Sequence, residues 1–333
     1  MIKTAEYVSL GHPDKIADYI TSYILDRFLE QDAATRYAVE VMIKENTVVL
    51  GGEICSKVKT APFSEYVKNA LREIGYDERY TQIWGQKAIE VDKVKVINLI
   101  GSQSCEIAQG VLQDGWGDQG VFIGYACQGE GNLNRELYLA RKLNRALYDK
   151  ARHSNNLGLD IKTQITLDDH NEVMTAVVAI PMLQPENLND FIGQTVGVPI
   201  KHIIVNGAGN YTIHSSMADC GVTGRKLAVD FYSTASAVGG GSPWSKDASK
   251  ADFTLNLYAR RLAVENLADN DEVWVYLSSC IGQADLPSAV LKCRKGNVVT
   301  EKNIKVESRP SVLIEKLGLN KPIYTKLCRN GLV

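Results

Sequence analysis

The chain has 333 residues, 37 Lys and Arg against 39 Asp and Glu, and a formal net charge of −2. That balance argues against a protein held on nucleic acid by bulk electrostatics, so an anionic ligand must be met by locally gathered cations. With 45% hydrophobic and 23% charged residues, the chain can bury a large core, and its length suits two or three domains because single cores stop growing near ~250–300 residues.

Met1–Glu6 carries an early acid and no apolar h-region, so no signal peptide is expected. Ile16, Ile20, Tyr23/Ile24 and Phe28 recur at helical spacing behind Pro13, which is suited to the first helical position. Tyr37, Val39, Val41 and Ile43 alternate with Ala38, Glu40 and Met42, a strand period. Glu45-Asn46 can turn the chain into a second strand, Thr47 to Ile54. A two-residue loop sets Lys44 opposite Thr47 and Glu40 opposite Gly51, which puts Glu40 and Glu53 on one sheet face.

A helix through Phe63, Val67, Leu71 and Ile74 and a strand near Val91–Ile100 follow. Residues 101–120 are rich in glycine and glutamine with weak periodicity, and read as a long functional loop. Leu133, Leu137, Ala140, Leu143 and Leu147 mark another helix. Hairpins are expected at 163–180, turning at Asp168–Asn171, and at 288–300, turning near Lys295-Gly296-Asn297. The longest apolar stretch, around Ala176–Ile180, is far below the roughly 20 residues of a membrane span. Seven scattered cysteines without a C-x-x-C pair suit reduced cytoplasmic thiols better than a disulfide frame or zinc site. The alternation of periods reads as mixed α/β or α+β, with a helix-plus-hairpin unit occurring about three times.

Gly115-Trp116-Gly117-Asp118-Gln119-Gly120 matches G-x-G-x-x-G, but the following Val121–Ala126 looks like a buried strand, not the helix a dinucleotide fold needs. Gly239-Gly240-Gly241 ahead of Lys246 and Lys250 frees backbone N–H groups for an anion, with Asp247 and Asp252 beside it for a divalent cation. Gly11-His12-Pro13-Asp14-Lys15 sets a base, an acid and an ammonium at a helix start. Asp219-Cys220-Gly221-Val222-Thr223-Gly224-Arg225-Lys226 adds an acid and two adjacent cations behind glycine turns. Read singly, these segments are an N-cap, a charged turn or a flexible loop. Read together, Lys15, Lys162, Arg225, Lys226, Lys246 and Lys250 with Asp14, Asp118, Asp219 and Asp252 are what a polyphosphate with Mg²⁺ requires.

In this order and spacing the motifs resemble the S-adenosylmethionine synthetases. The resemblance runs from Glu6 to about Tyr324 and rests on Val8–Lys15, Gly51-Gly52-Glu53-Ile54, Gly117–Gly120 with Gly124-Tyr125-Ala126, Gly221–Lys226, and Gly239–Gly241 with Lys246-Asp247 and Lys250. It implies an α+β fold of three similar α/β domains in pseudo-threefold arrangement: 1–101, a gating loop at 102–117, 118–213 and 214–333. It also implies synthesis of S-adenosylmethionine from ATP and methionine, then hydrolysis of the bound tripolyphosphate to pyrophosphate and phosphate. His12, Lys15, Lys162, Arg225 and Lys246 would act on the triphosphate together with Lys226. Asp14 and Asp252 match Mg²⁺ ligands, two ions per site, and Glu40 the potassium-site acid. Glu53, Gln103, Asp219, Lys250 and Ile281 match the methionine pocket; Asp118, Asp160 and Tyr211 match the nucleoside contacts. Family sites lie between subunits, which implies a homodimer and leaves a tetramer open; no nucleic acid or membrane partner is implied.

The stretch Gln103–Gly115 is shorter than the family's gating loop, and the customary C-terminal tail is missing after Ile323-Tyr324. Ser-Pro-Trp-Ser after the three glycines stands for the usual Ala-Phe-Ser-Gly, Val238 for a histidine, Phe253 for an arginine, His214-Ser215 for a glycine pair and Asn210 for an arginine. Pro243 and Phe253 motivate an alternative in which adenosyl transfer persists with impaired tripolyphosphate hydrolysis; relaxed thioether choice is a further alternative. A non-catalytic nucleotide-binding subunit of an active paralogue is the alternative from another class.

Overall fold

The computed structural model describes residues 3–102 and 114–332. Three units follow one another along this chain. The first runs β1 (Lys3–Val8), α1 (Pro13–Leu29), β2 (Arg36–Lys44), β3 (Thr47–Cys55), α2 (Phe63–Ile74), α3 (Glu78–Trp84) and β4 (Lys95–Ser102). The second runs β5 (Gly120–Cys127), α4 (Arg135–Arg152), β6 (Lys162–Leu167), β7 (Val173–Ala179), α5 (Asn189–Val196) and β8 (Ile200–Val205). The third runs β9 (Gly221–Val222), α6 (Leu227–Asp230), α7 (Ala251–Glu265), β10 (Glu272–Ser279), β11 (Ser288–Lys295) and β12 (Val298–Asn303), before α8 (Pro310–Leu317) and α9 (Tyr324–Asn330).

Each unit is a strand, a helix, a hairpin and a closing strand, and each gives its first strand away. The four-stranded sheets run β9-β2-β3-β4, β1-β6-β7-β8 and β5-β10-β11-β12. The first unit's β1 thus completes the second unit's sheet, β5 completes the third, and β9 returns to the first. This cyclic exchange relates the three similar units as a pseudo-threefold set. It also means that the segments 1–101, 118–213 and 214–333 each hold a hairpin whose sheet is finished by another segment.

The closing strands differ for a reason of connection length. β4 and β8 lie parallel to their hairpin neighbours β3 and β7, because α2–α3 and α5 supply the crossovers. β11 and β12 are joined by a tight turn alone, so β12 is antiparallel. The first hairpin has the register expected from its two-residue turn. Lys44 faces Thr47, Glu40 faces Gly51 and Ala38 faces Glu53, so Glu40 and Glu53 share one face. The G-x-G-x-x-G stretch enters β5, an antiparallel partner of β10, and the dinucleotide reading fails on that context.

Helix α1 is the buried spine of the molecule: every residue from Pro13 to Leu29 except Arg27 is buried. Ile16, Ile20, Ile24 and Phe28 join the larger apolar core with Tyr37, Val39 and Val41. The polar residues Asp14, Asp18, Ser22 and Asp26 recur every fourth position, a stripe along one side of the helix. At its far end Asp26 accepts from Tyr324 N at 2.9 Å, Thr325 N at 2.9 Å and Thr325 Oγ1 at 2.6 Å, which moors α9. No helix among the described residues is long and apolar enough to cross a membrane.

Because three donors depend on this one buried carboxylate, Asp26→Ala is expected to lower stability by about 2 kcal/mol. Urea unfolding measures the loss. Amide exchange across 324–330 should accelerate ahead of the remaining helices; unchanged exchange there would show that Asp26 does not hold α9.

Candidate active site

The site begins where α1 begins. Pro13 sets the first helical φ, and His12 caps the helix by accepting Asp14 N–H on Nδ1 at 3.1 Å. With Nδ1 occupied as an acceptor, the ring proton of neutral His12 sits on Nε2. Burial, reinforced by Lys226 and Lys162, pulls His12 down to about 3, so it stays neutral at physiological pH. Two glycines admit the close approach of backbone here. A Cβ on Gly11 would lie 2.2 Å from Leu159 O, and one on Gly221 would lie 2.1 Å from Pro13 O.

That approach delivers the Gly221–Lys226 turn to the helix start. Asp14 Oδ1 accepts Val222 N–H at 2.9 Å, Oδ2 accepts Lys226 Nζ at 2.6 Å, and Arg225 Nε lies 3.7 Å away. Burial opposes ionisation of Asp14, but the Lys226 ammonium and Val222 N–H outweigh it and hold the carboxyl below its usual value.

Asp160 closes the other side of this cluster. Its Oδ2 accepts Ser215 N–H at 3.0 Å, while Oδ1 is buried without a partner among the described residues. Burial pushes its carboxyl up to about 6. Lys162, at the first position of β6 opposite Val8, and Asp219 both act electrostatically on His12 and on Asp160. Tyr211 feels Asp160 as well, with burial as the larger cause of its raised pKa. His12, Asp14, Asp160, Lys162, Tyr211, Asp219, Arg225 and Lys226 therefore form one cluster.

A second cluster gathers around the glycine loop. Gly239 packs on the backbone of Val121–Ile123, and Asp252 in the first turn of α7 accepts Gly241 N–H at 2.7 Å and Lys246 Nζ at 2.5 Å. The segment is pinned to β2 by Val39 N–H donating to Ser245 O at 3.0 Å and by Ser245 Oγ donating to Glu40 at 2.7 Å. Glu40 and Glu53 lie on the adjoining sheet face, Lys250 is the residue before α7, and Asp118 is exposed just before β5. Ile281, 59% exposed, is bridged to Trp116 near that end. Gln103 lies outside the described residues.

Lys15 requires a correction. It was expected among the phosphate cations, but it turns inward with 2% of its surface exposed. Its Nζ lies 2.6 Å from Asp230 Oδ1 and 3.1 Å from Asp18 Oδ2, and 4.8 Å from the centre of the Trp244 ring. Burial alone would lower its pKa, yet Asp230 outweighs this and holds it well above the usual lysine value. Asp247 is likewise engaged, accepting from Tyr37 N at 2.7 Å and Ser249 N at 2.8 Å with Arg36 at 3.5 Å.

Two of the departures from the family pattern have a clear place in the fold. Phe253 is fully buried and stacks on Tyr324 at 4.7 Å, so it packs the core and does not face the loop of cations. His214 is buried behind Asp160, where its Nδ1–H donates to Thr212 O and its Nε2 accepts Tyr80 OH. Burial pulls His214 down to about 4. Sequence reading missed Asp18, Asp230 and Trp244. The signal that could have found Asp18 is the four-residue recurrence of polar groups on an otherwise apolar helix.

Carboxylates paired with lysines at glycine turns, set on three strand-exchanged sheets, two mixed and one antiparallel, have the chemistry of an enzyme that binds a phosphorylated substrate. Family models for the S-adenosylmethionine synthetase N-terminal and C-terminal domains match residues 1–105 and 213–333. An S-adenosylmethionine synthase of Paramagnetospirillum magneticum is 32% identical over 98% of this chain and 91% of its own length. One of Mycoplasmopsis synoviae is 34% identical over 97% and 89%. A solved structure, of an unusual S-adenosylmethionine synthetase from Campylobacter jejuni, superposes with a TM-score of 0.87 at 31% identity, covering 100% of this chain and 94% of that one. The chain belongs to the S-adenosylmethionine synthetase family, the ATP-dependent methionine adenosyltransferases.

Asp160 is expected to titrate near 6, measurable by carboxyl ¹³C NMR. Lys162 favours its ionised form, so Lys162→Met should move the midpoint upward. A midpoint at the ordinary aspartate value would show that the carboxyl is hydrated and the cluster open.

Proposed function

We propose that this chain joins ATP and L-methionine into S-adenosylmethionine and then hydrolyses the tripolyphosphate it has displaced. The observation that carries this reading is the pair of matched contacts Asp14–Lys226 and Asp252–Lys246, at 2.6 and 2.5 Å. In each, a carboxylate that suits Mg²⁺ holds an ammonium that suits a phosphate oxygen, so a magnesium–polyphosphate can replace both halves of the contact at once.

In the alkylation the methionine sulfur forms a bond to ribose C5′ while the C5′–O bond to the triphosphate breaks and its electrons go to the phosphate oxygen. A thioether carries no proton to remove, so no general base is needed, only in-line placement. Charge grows on the leaving oxygens, where Arg225, Lys226, Lys162 and Lys246 stabilise it and neutral His12 can donate from Nε2. Asp118, Asp160 and Tyr211 would hold the nucleoside, Asp160 through its unpartnered buried oxygen. Glu53, Asp219, Lys250, Gln103 and Ile281 would hold methionine.

The donor chemistry fits the implied ions. Among the described residues no group of three or more His, Cys, Asp or Glu could hold a metal, and Mg²⁺ needs no such group because it takes one or two carboxylates and completes its shell with waters and substrate phosphates. Asp14 and Asp252 supply those carboxylates, and Glu40 the oxygen for K⁺. When bound, Mg²⁺ neutralises the triphosphate and makes it a better leaving group. Phe253 in the core removes one of the two grounds for impaired tripolyphosphate hydrolysis, which favours the complete reaction.

A homodimer completes the site. Around Glu40 and Glu53 the first sheet presents Met42, Ile97 and Leu99, 44%, 47% and 65% exposed, an apolar face that a second copy would cover. Residues of both chains would then line each site.

The purified chain with ATP, methionine, Mg²⁺ and K⁺ is expected to release S-adenosylmethionine, pyrophosphate and phosphate in equal amounts. Lys246→Ala should lower kcat/KM by about 10²–10³-fold. Absence of product, with the variant behaving identically, would end this reading; tripolyphosphate accumulating alone would restore the impaired-hydrolysis alternative. Leu99→Glu should shift the protein to monomer in analytical ultracentrifugation and abolish turnover together, whereas an active monomer would refute the shared site.

A further inference from the structure

Three segments carry the phosphate-facing groups: the start of α1 with His12 and Asp14, the turn with Arg225 and Lys226, and the glycine loop with Lys246. All three are attached to one buried polar cluster behind the site. Lys15, next to Asp14, donates to Asp230 Oδ1 at 2.6 Å and lies 3.1 Å from Asp18 Oδ2. Asp18 Oδ1 accepts Gly224 N–H at 2.8 Å, one residue before Arg225. Asp230 Oδ2 accepts the indole N–H of Trp244 at 2.8 Å, two residues before Lys246. The Trp244 ring covers the Lys15 ammonium at 4.8 Å. The turn and the loop also touch directly, since a Cβ on Gly224 would fall 2.6 Å from the Ser242 side chain.

We propose that Lys15, Asp18, Asp230 and Trp244 are positioning residues that lock the three phosphate-facing segments into one geometry. The proposal rests on the polyphosphate reading of the site. None of the four needs to touch substrate. Lys15 and Asp230 leave little freedom to slide, because both are buried and separating them strands a charge, and Asp18 ties the turn by accepting Gly224 N–H. Trp244 gives the glycine loop a fixed anchor that a serine or glycine could not supply, which matters because Pro243 beside it has no N–H to help order the loop. Placement errors of about 1 Å at such groups are enough to lose ~10²-fold in rate.

Trp244→Phe removes one N–H and keeps the ring; Asp230→Asn and Lys15→Met remove the charges. Calorimetry with magnesium tripolyphosphate and steady-state kinetics for both substrates separate positioning from simple loss of folded protein. For Trp244→Phe we expect tripolyphosphate affinity to fall and KM for ATP to rise, each about tenfold, with KM for methionine within about twofold. For Asp230→Asn and Lys15→Met the expected loss of affinity is about 100-fold. Reduced binding stoichiometry with unchanged affinity, or parallel changes in both KM values, would assign the cluster a structural role and overturn the proposal. If the charge variants fail to fold, Trp244→Phe decides alone. A wild-type chain that binds tripolyphosphate without forming S-adenosylmethionine would refute the proposed reaction, and the affinities of the variants would still judge the cluster. A wild-type chain that binds no tripolyphosphate would refute both.

Discussion

The molecule depends on one constraint: helix α1 is buried on nearly all sides yet carries acids, hydroxyls and an ammonium. Buried polar groups must find partners, and those on α1 find them in segments remote in sequence. Asp14 takes Val222 and Lys226, Asp18 takes Gly224, Thr21 donates to Val39 O, Tyr19 donates to Glu73, and Asp26 takes Tyr324 and Thr325. An apolar helix in this place would pack as well but would leave its neighbours' positions open. The polar stripe fixes them, and it ties the organisation of the core to the geometry of the site.

The electrostatics follow from that arrangement. The site is dry enough to keep His12 neutral and to raise Asp160, and its ammonium groups lie directly against carboxylates, Lys226 on Asp14 and Lys246 on Asp252. Substrate-free, each exposed end of the cluster holds a carboxylate against an ammonium, so little uncompensated charge is stored. In the proposed reaction a polyanion with its metal would exchange partners there and need not neutralise a bare field, which suits a chain of near-zero net charge.

What could be read from the sequence was what local geometry determines. The first hairpin was legible to the residue because its loop length sets the register and its alternation sets the buried face, so Glu40 and Glu53 could be placed together in advance. The helix of 13–29 and the N-cap at His12 were legible for similar reasons. The pairing of β1 with β6 and of β9 with β2 was not, since short strands joined across long sequence separations leave no periodic trace. Lys15 shows the same limit at the site. Its neighbours in sequence are cage residues, and adjacency suggested a shared role, but successive residues of a helix point about 100° apart. Asp14 faces the turn of cations while Lys15 faces Asp230, and only the tertiary fold distinguishes them.

The exchange of first strands has a consequence for how the chain comes into being on the ribosome. β1 emerges first and finds its partner only when β6 has been made, with Lys3 set against Leu167. The first unit, though its hairpin forms early, lacks β9 until Gly221 and Val222 are synthesised. β5 waits for β10, the last hairpin to appear. No sheet can be completed before β8 ends at Val205, about three-fifths of the way along the chain, and open edges persist on the nascent protein through that interval. The architecture thus favours late, concerted closure over domain-by-domain folding, and it makes the elongating chain the form most exposed to mispairing.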